Sequence, residues 1–124
     1  MTDANISKMI VAGAGPVGLT LALMLRRAGI DVTVVEKRAT VNLQSKASTF
    51  HASTIDLLET CDILDAMLAK GTRVDSVQYR APDGVILAQL DFDLLKGCVR
   101  NPFRMHYEQG ELTTLMRDLF AKAQ

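Results

Sequence analysis

The segment VAGAGPVGLTLALMLRRAGIDVTVVEK, residues 11–37, constrains the fold of this chain more than any other part of it. Three glycines, Gly13, Gly15 and Gly18, lie between two apolar runs. Lys8 to Ala12, the run before the glycines, predicts a short and fully buried strand, because its apolar residues do not alternate with polar ones. The fold must therefore turn sharply just after this strand.

The residues after the glycines predict a helix followed by a second strand. Pro16 suits the first helical turn, where a missing N–H is harmless, and Gly29 suits the left-handed position after the last turn. Asp31 to Glu36 is rich in β-branched residues and predicts a strand. Strand, helix and strand in about thirty residues form a βαβ unit, so we expect two parallel strands with a right-handed crossover.

The pattern GxGxxG inside a βαβ unit predicts a dinucleotide site. Gly13 permits a tight turn, Gly15 lets the backbone approach a pyrophosphate, and Gly18 lets the helix pack closely on the strand. N–H groups at the helix N-terminus then favour the phosphate charge. Glu36 ends the second strand, where a carboxylate accepts hydrogen bonds from ribose hydroxyls and repels a 2′-phosphate. These residues do not distinguish FAD from NAD as the bound dinucleotide, and they argue against NADP at this site.

The rest of the chain predicts short helices, a hairpin and a closing helix. Residues 51–71 have helical spacing with a break near Cys61, after which Asp62 is expected to cap a second short helix. Residues 73–92 change to strand periodicity around the turn Pro82-Asp83-Gly84, which predicts a β-hairpin. The remaining expectations are a loop over residues 93–102, a short strand over 103–107, and a closing helix with Leu112, Leu115, Met116 and Leu119 on one face.

The composition is that of an ordinary globular chain. Of 124 residues, 48% are hydrophobic and 23% are charged, and the formal net charge of +0 gives no electrostatic basis for binding nucleic acid. The apolar run Leu19 to Leu25 is far too short to span a membrane, and we expect no secretory signal. Cys61 and Cys98 lack metal-ligand spacing, so we expect free thiols, no metal and a cytoplasmic location.

Four segments resemble the FAD-dependent aromatic hydroxylases, the single-component flavoprotein monooxygenases similar to p-hydroxybenzoate hydroxylase. GAGPVGLTLALMLRRAGIDVTVVEK resembles their N-terminal fingerprint, and SKASTFHASTIDLLETCDILDAM resembles their second block. The hairpin with PDG and DFDLL resembles their β excursion, and HYEQGELTTLM their glutamine-led helix. The resemblance implies an α/β, Rossmann-like FAD/NAD(P)-binding fold with a β-hairpin excursion and an incomplete sheet, and it implies FAD as the cofactor.

The resemblance also implies the residues that contact FAD. Glu36 corresponds to the ribose ligand, and Lys37 borders it. Lys46 lies where the family usually has an arginine near the phosphates, although an ammonium lacks the planar fork of a guanidinium. Gln109 matches the glutamine that lies along the ribityl chain and phosphates. The positions implied to hold the pyrophosphate are Gly13, Ala14, Gly15, Pro16, Val17 and Gly18.

Four other polar residues receive no role from the resemblance. His51 and His106 are expected to be structural or surface residues rather than catalysts. Arg38 and Arg104 are expected to be solvated or ion-paired. Catalytic residues therefore remain unknown at this stage.

The resemblance implies a longer enzyme that hydroxylates an aromatic or similar electron-rich substrate with NAD(P)H and O₂. A later Gly-Asp segment and a substrate-covering sheet lie outside residues 1–124, so we expect these residues to form a partial FAD-binding domain. Its incomplete sheet favours self-association or a partner chain. The alternatives are a non-catalytic nucleotide-binding or interaction fragment completed by a partner chain, and an NAD-dependent oxidoreductase.

Overall fold

The computed structural model describes residues 8–40 and 47–122. The chain divides into two compact units, the first formed by residues 1–46 and 109–124 and the second by residues 47–108. In chain order the elements are β1 (Lys8–Ala12), α1 (Pro16–Arg27), β2 (Asp31–Val35), β3 (Thr49–Phe50), α2 (Ala52–Glu59), α3 (Leu64–Leu68), β4 (Thr72–Val74), β5 (Ser76–Arg80), β6 (Ile86–Asp91), a 3-10 turn (Phe92–Leu95), β7 (Arg104–His106) and α4 (Gln109–Lys122).

The first unit begins with the predicted βαβ arrangement. β1 and β2 pair in parallel, with Lys8 opposite Asp31 and Val11 opposite Val34. The prediction that β1 is fully buried is wrong, because Ile10 is 70% exposed whereas Val11 is buried. Val11 faces α1, but among the described residues this sheet has two strands and nothing covers its other face.

Gly29 ends α1 as predicted. Its φ of 79° lies in the left-handed region. Its N–H donates to the carbonyl of Arg26 (2.9 Å), and the N–H of Ile30 donates to that of Leu25 (3.0 Å). This pair of bonds closes the last helical turn and sends the chain back into β2.

The closing helix α4 packs on α1. The Thr20 hydroxyl donates to the Met116 sulfur (3.9 Å), and the Arg26 guanidinium lies 3.4 Å from the centre of the Phe120 ring. Because Thr20 precedes Arg26 and Met116 precedes Phe120, the two helices run in the same direction and begin at the same end of the unit. The side chains that α4 buries are Leu112, Thr113, Met116 and Phe120, whereas Leu115 and Leu119 are only half-buried.

The second unit contains two small antiparallel sheets. One has the order β3-β7-β4, and the other is the predicted hairpin of β5 and β6. Gly84, with a φ of 88°, donates its N–H to the carbonyl of Ala81 (2.9 Å) in the hairpin turn. β3 was not predicted, since a two-residue strand is too short to show a period. The predicted strand near residues 103–107 is confirmed as β7.

The break between α2 and α3 occurs where the sequence predicts it, but Asp62 has a different role. The residue that caps α3 is Ile63, without a side-chain hydrogen bond, so the prediction that Asp62 caps this helix is wrong. Asp62 has a φ of 57° and donates its N–H to the carbonyl of Glu59 (3.0 Å). Aspartate tolerates this left-handed conformation, and here it ends the first helix instead of starting the second.

Cys61 is buried and Cys98 is exposed, and both are free. None of the helices within residues 8–40 and 47–122 combines the length and apolar character needed to cross a membrane.

A carboxylate on α2 fixes the loop that precedes β7. Asp56 accepts hydrogen bonds from the N–H of Arg100 (3.0 Å) and from the N–H and side-chain amide of Asn101 (both 2.9 Å). The same amide donates to Glu59 (3.0 Å). Desolvation raises the pKa of Asp56, but these donors together outweigh it, so the pKa lies below its ordinary value. The loop is thus held by an ionised group.

We expect Asp56→Asn to lower the free energy of unfolding by about 1–3 kcal/mol at pH 7, because the loop loses its anionic acceptor. The pKa of Asp56 is lower in the folded state than in the unfolded state. The difference in free energy of unfolding between wild type and Asp56→Asn is therefore complete above the unfolded-state pKa of about 3.9, and it disappears as the pH falls through the folded-state pKa. Urea unfolding from pH 7 to about 3 measures both effects. Asp118→Asn, on the exposed side of α4, is the control, and equal stability of the two variants at pH 7 would contradict the account.

Candidate functional site

The site lies at the carboxyl ends of β1 and β2, where the glycine-rich loop enters α1. Gly13 has a φ of 108°, a conformation that side chains strongly disfavour. Its N–H donates to the carbonyl of Val35 (2.7 Å), which ties the start of the loop to the end of β2. The sharp turn predicted after β1 is therefore present at Gly13.

Gly15 and Gly18 differ in the space available for a side chain. A Cβ built on Gly18 would overlap the carbonyl oxygen of Gly13 and lie 3.3 Å from Cγ1 of Val11. A Cβ built on Gly15 would meet nothing within 4 Å, and the φ of Gly15 is an ordinary −80°. Gly18 is thus required for the helix to pack against β1, whereas the absence of a side chain at Gly15 leaves open space above the loop.

The first turn of α1 presents to this space N–H groups that meet no acceptor in the described part of the chain. The N-cap residue of the helix is Gly15, which has no side chain to accept a hydrogen bond from the first turn. No acidic residue lies in this turn. Across residues 8–40 and 47–122, the N–H groups of Gly15, Val17 and Gly18 have no recorded acceptor. Val17 is 83% exposed, so its side chain does not cover the N–H groups of the first turn. Such a helix N-terminus attracts an anion through its unpaired N–H groups and its dipole.

Glu36 joins the loop to the end of β2. One oxygen of its carboxylate accepts the N–H of Ala14 (2.8 Å), and the other accepts the N–H of Arg38 (2.9 Å). The bonds from Arg38 and Ala14 hold the pKa of Glu36 below its ordinary value. Each oxygen retains a further lone pair, so an exposed, ionised acceptor lies directly beside the anion-attracting helix end.

The other predicted site residues are only partly brought together. Lys37 is exposed and adjacent to Glu36, whereas Lys46 lies outside the described residues. Gln109 is half-buried and begins α4, and its carbonyl accepts the hydroxyl of Thr113 (2.8 Å). Because α1 and α4 begin at the same end of the first unit, Gln109 lies toward the glycine-rich loop.

Two features of the described residues were missed by sequence reasoning. The bond from the Ala14 N–H to Glu36 joins residues far apart in the sequence, and no local pattern signals it. Arg104 was expected to be solvated or ion-paired, and the burial of its Nε without an acceptor within the described ranges was not expected. His106 pairs with the hydroxyl of Thr49 (3.1 Å), in keeping with a structural role.

Gly15 and Gly18 provide a matched test of the loop. We expect Gly18→Ala to destabilise the chain by about 1–3 kcal/mol, because its methyl group overlaps backbone that cannot move aside without breaking the turn. We expect Gly15→Ala to change stability by less than about 0.5 kcal/mol, since the space is open and the backbone conformation ordinary. Urea unfolding of both variants without ligand measures the difference, and equal stability losses would contradict this assignment.

Comparison with known proteins places this geometry in a family. Residues 7–123 match the family described as FAD binding domain. Pentachlorophenol 4-monooxygenase of Sphingobium chlorophenolicum is 28% identical over 109 residues, which are 88% of this chain and 20% of that protein. The 6-methylpretetramide 4-monooxygenase of Streptomyces rimosus is 35% identical over 121 residues, which are 96% of this chain and 21% of that protein.

A solved structure agrees with these sequence relatives. The p-nitrophenol 4-monooxygenase of Pseudomonas putida matches 94% of this chain and 30% of its own, with a TM-score of 0.82 and 25% sequence identity. The chain therefore spans less than a third of the length of these relatives. Since the family match covers nearly every residue, the chain belongs to the FAD-binding domain family, together with the FAD-dependent aromatic hydroxylases that its sequence resembles.

Proposed function

We propose that this chain is the FAD-binding N-terminal part of a monooxygenase that hydroxylates an aromatic substrate with NAD(P)H and O₂. The observation that carries the proposal is the bond between the Ala14 N–H and the Glu36 carboxylate. It places an acceptor for sugar hydroxyls beside a helix end that attracts phosphate, which is the pairing that an adenine dinucleotide requires.

The proposal gives each residue of the site a role in holding FAD. The pyrophosphate lies over Gly15, where the open space lets it reach the N–H groups of Val17 and Gly18. Glu36 accepts hydrogen bonds from the ribose, with Lys37 at its border. The full set of proposed contacts is Gly13, Ala14, Gly15, Pro16, Val17, Gly18, Glu36, Lys37, Lys46 and Gln109.

The residues present suit FAD better than a nucleotide with a 2′-phosphate. The negative charge of Glu36 would repel such a group, and the charge of the neighbouring Arg38 already stabilises this carboxylate. FAD itself supplies the electron transfer and oxygen chemistry when bound. The contribution of this chain is to hold the adenosine half of the cofactor in one orientation.

The reaction and its substrate class are inferred from the relatives. Two of them are named for phenols, pentachlorophenol and p-nitrophenol, which supports a small aromatic substrate. Because this chain spans only a part of their length, residues 1–124 are proposed to be a partial FAD-binding domain. A non-catalytic nucleotide-binding fragment and an NAD-dependent oxidoreductase are not favoured by the family match.

The exposed apolar face of the two-stranded sheet in the first unit supports the proposal that a further element covers it. Ile10 on β1 and Val35 on β2 are exposed apolar residues of the two-stranded sheet. Leaving such a face and its strand edges open is unfavourable in water. We therefore include in the proposal a second copy, a partner chain or further polypeptide that covers this sheet, and a cytoplasmic location.

Gly15→Ala tests the proposed position of the pyrophosphate. A methyl group at this position fills the open space without disturbing the loop, so we expect FAD affinity to fall about tenfold or more while stability is unchanged. Titration of the chain with FAD, followed by flavin fluorescence, measures the affinity. Unchanged affinity would show that the pyrophosphate does not lie over Gly15.

Glu36→Gln tests the ribose contact. The amide keeps the shape of the side chain but loses its charge, so we expect FAD affinity to fall about tenfold, the loss typical of a charge-assisted hydrogen bond. Asp31→Asn is the matched control, because Asp31 is an exposed carboxylate at the opposite end of the same strand. Equal FAD affinity of wild type and Glu36→Gln would remove Glu36 from the site.

A further inference from the structure

Arg26, in the last turn of α1, joins this helix to the last turn of α4. Its guanidinium donates to the carbonyl of Phe120 (2.5 Å), and its Cζ lies 3.4 Å from the centre of the Phe120 ring. The hydrogen bond lies in the plane of the guanidinium, whereas the ring lies against its flat face. One side chain therefore restrains Phe120, a buried residue of α4, in two directions.

The charge of Arg26 suits the ends of both helices. The last turn of a helix carries partial negative charge on carbonyl groups that lack a partner within the helix. Arg26 lies in the last turn of α1, and the carbonyl that it contacts lies in the last turn of α4 as the structure describes it. Because the two helices run in the same direction, their dipoles repel each other side by side, and one cation at the shared end offsets this repulsion. The contact thus stabilises this alignment of α4.

A second contact between the helices relates their heights nearer the N-termini. The Thr20 hydroxyl donates to the Met116 sulfur (3.9 Å). Gly15, the N-cap of α1, precedes Thr20 by five residues, which is about 8 Å along a helix. Gln109, the first residue of α4, precedes Met116 by seven residues, which is about 10 Å. The alignment of the two helices therefore brings Gln109 to the height of the glycine-rich loop.

We propose that Arg26 is a positioning residue for cofactor binding: its contact with Phe120 sets the height of α4 along α1 and so keeps Gln109 beside the glycine-rich loop. The inference rests on the proposed function, because Gln109 is a proposed contact of FAD. Arg26 follows Gly15 by eleven residues, about 16 Å along the helix, so it acts through α4 and not on the cofactor itself. A displacement of α4 would lengthen a hydrogen bond from Gln109, and such bonds weaken steeply with poor geometry.

The test is a double-mutant cycle on FAD affinity, followed by flavin fluorescence. We expect Arg26→Met and Gln109→Ala each to weaken FAD binding about fivefold, the loss of one neutral hydrogen bond. The double variant should bind FAD no more weakly than either single variant, because both changes remove the same contact. Arg117→Met, at an exposed arginine of α4, is the matched control and should bind FAD as wild type.

Two further measurements separate positioning from a general loss of stability. Urea unfolding gives the stability of each variant, so that affinities are compared between folded chains. Arg26→Lys keeps a donor for the Phe120 carbonyl but loses the flat stacking surface, so it should recover part of the FAD affinity. If Arg26→Met does not fold, Arg26→Lys replaces it in the cycle. A purely stabilising role would lower the urea midpoint and leave the FAD affinity of the folded chain unchanged.

The inference is overturned if the folded Arg26 variant binds FAD as tightly as wild type, if Gln109→Ala has no effect, or if the two losses add in the double variant. Failure of the wild-type chain to bind FAD would instead contradict the proposed function. The position of Gln109 is then measured in the ligand-free chain by NMR, where its side-chain amide signals should shift in Arg26→Met but not in Arg117→Met. Unchanged signals in Arg26→Met would overturn the inference.

Discussion

The hydrogen bond from the Ala14 N–H to the Glu36 carboxylate is the contact on which the proposed function of the first unit depends. It joins the loop after β1 to the end of β2, two places that the parallel pairing of the strands brings to one edge. The same carboxylate remains ionised because backbone donors stabilise its charge. Its bonds to the loop fix the acceptor beside N–H groups at the start of α1 that have no acceptor among the residues that the structure describes.

The second unit is organised by a different balance of charge. Asp56 on α2 accepts hydrogen bonds from three donors of the loop that precedes β7, so its charge stabilises the fold. The Nε of Arg104, on the strand that follows this loop, is buried without an acceptor among the described residues, and its guanidinium lies near the ring of Phe92.

The sequence predicts the βαβ unit, the hairpin and the cofactor class because their signals are local. Gly13 and Gly29 must adopt left-handed backbone, and only a few residue types tolerate that. It does not predict β3, which is two residues long and pairs with the distant β7. It also does not distinguish an aspartate that ends one helix from an aspartate that begins the next, and Asp62 does the former. The burial of β1 was overestimated, since an apolar strand predicts a covered sheet whether or not the covering elements lie in these residues.

The measurement that tests the central claim most directly is flavin retention by the purified chain. After incubation with excess FAD and removal of unbound cofactor by gel filtration, the account predicts about one flavin per chain. The absorption band near ~450 nm is that of an oxidised isoalloxazine. A folded chain that emerges colourless, or that retains NAD in place of FAD under the same treatment, would contradict the account.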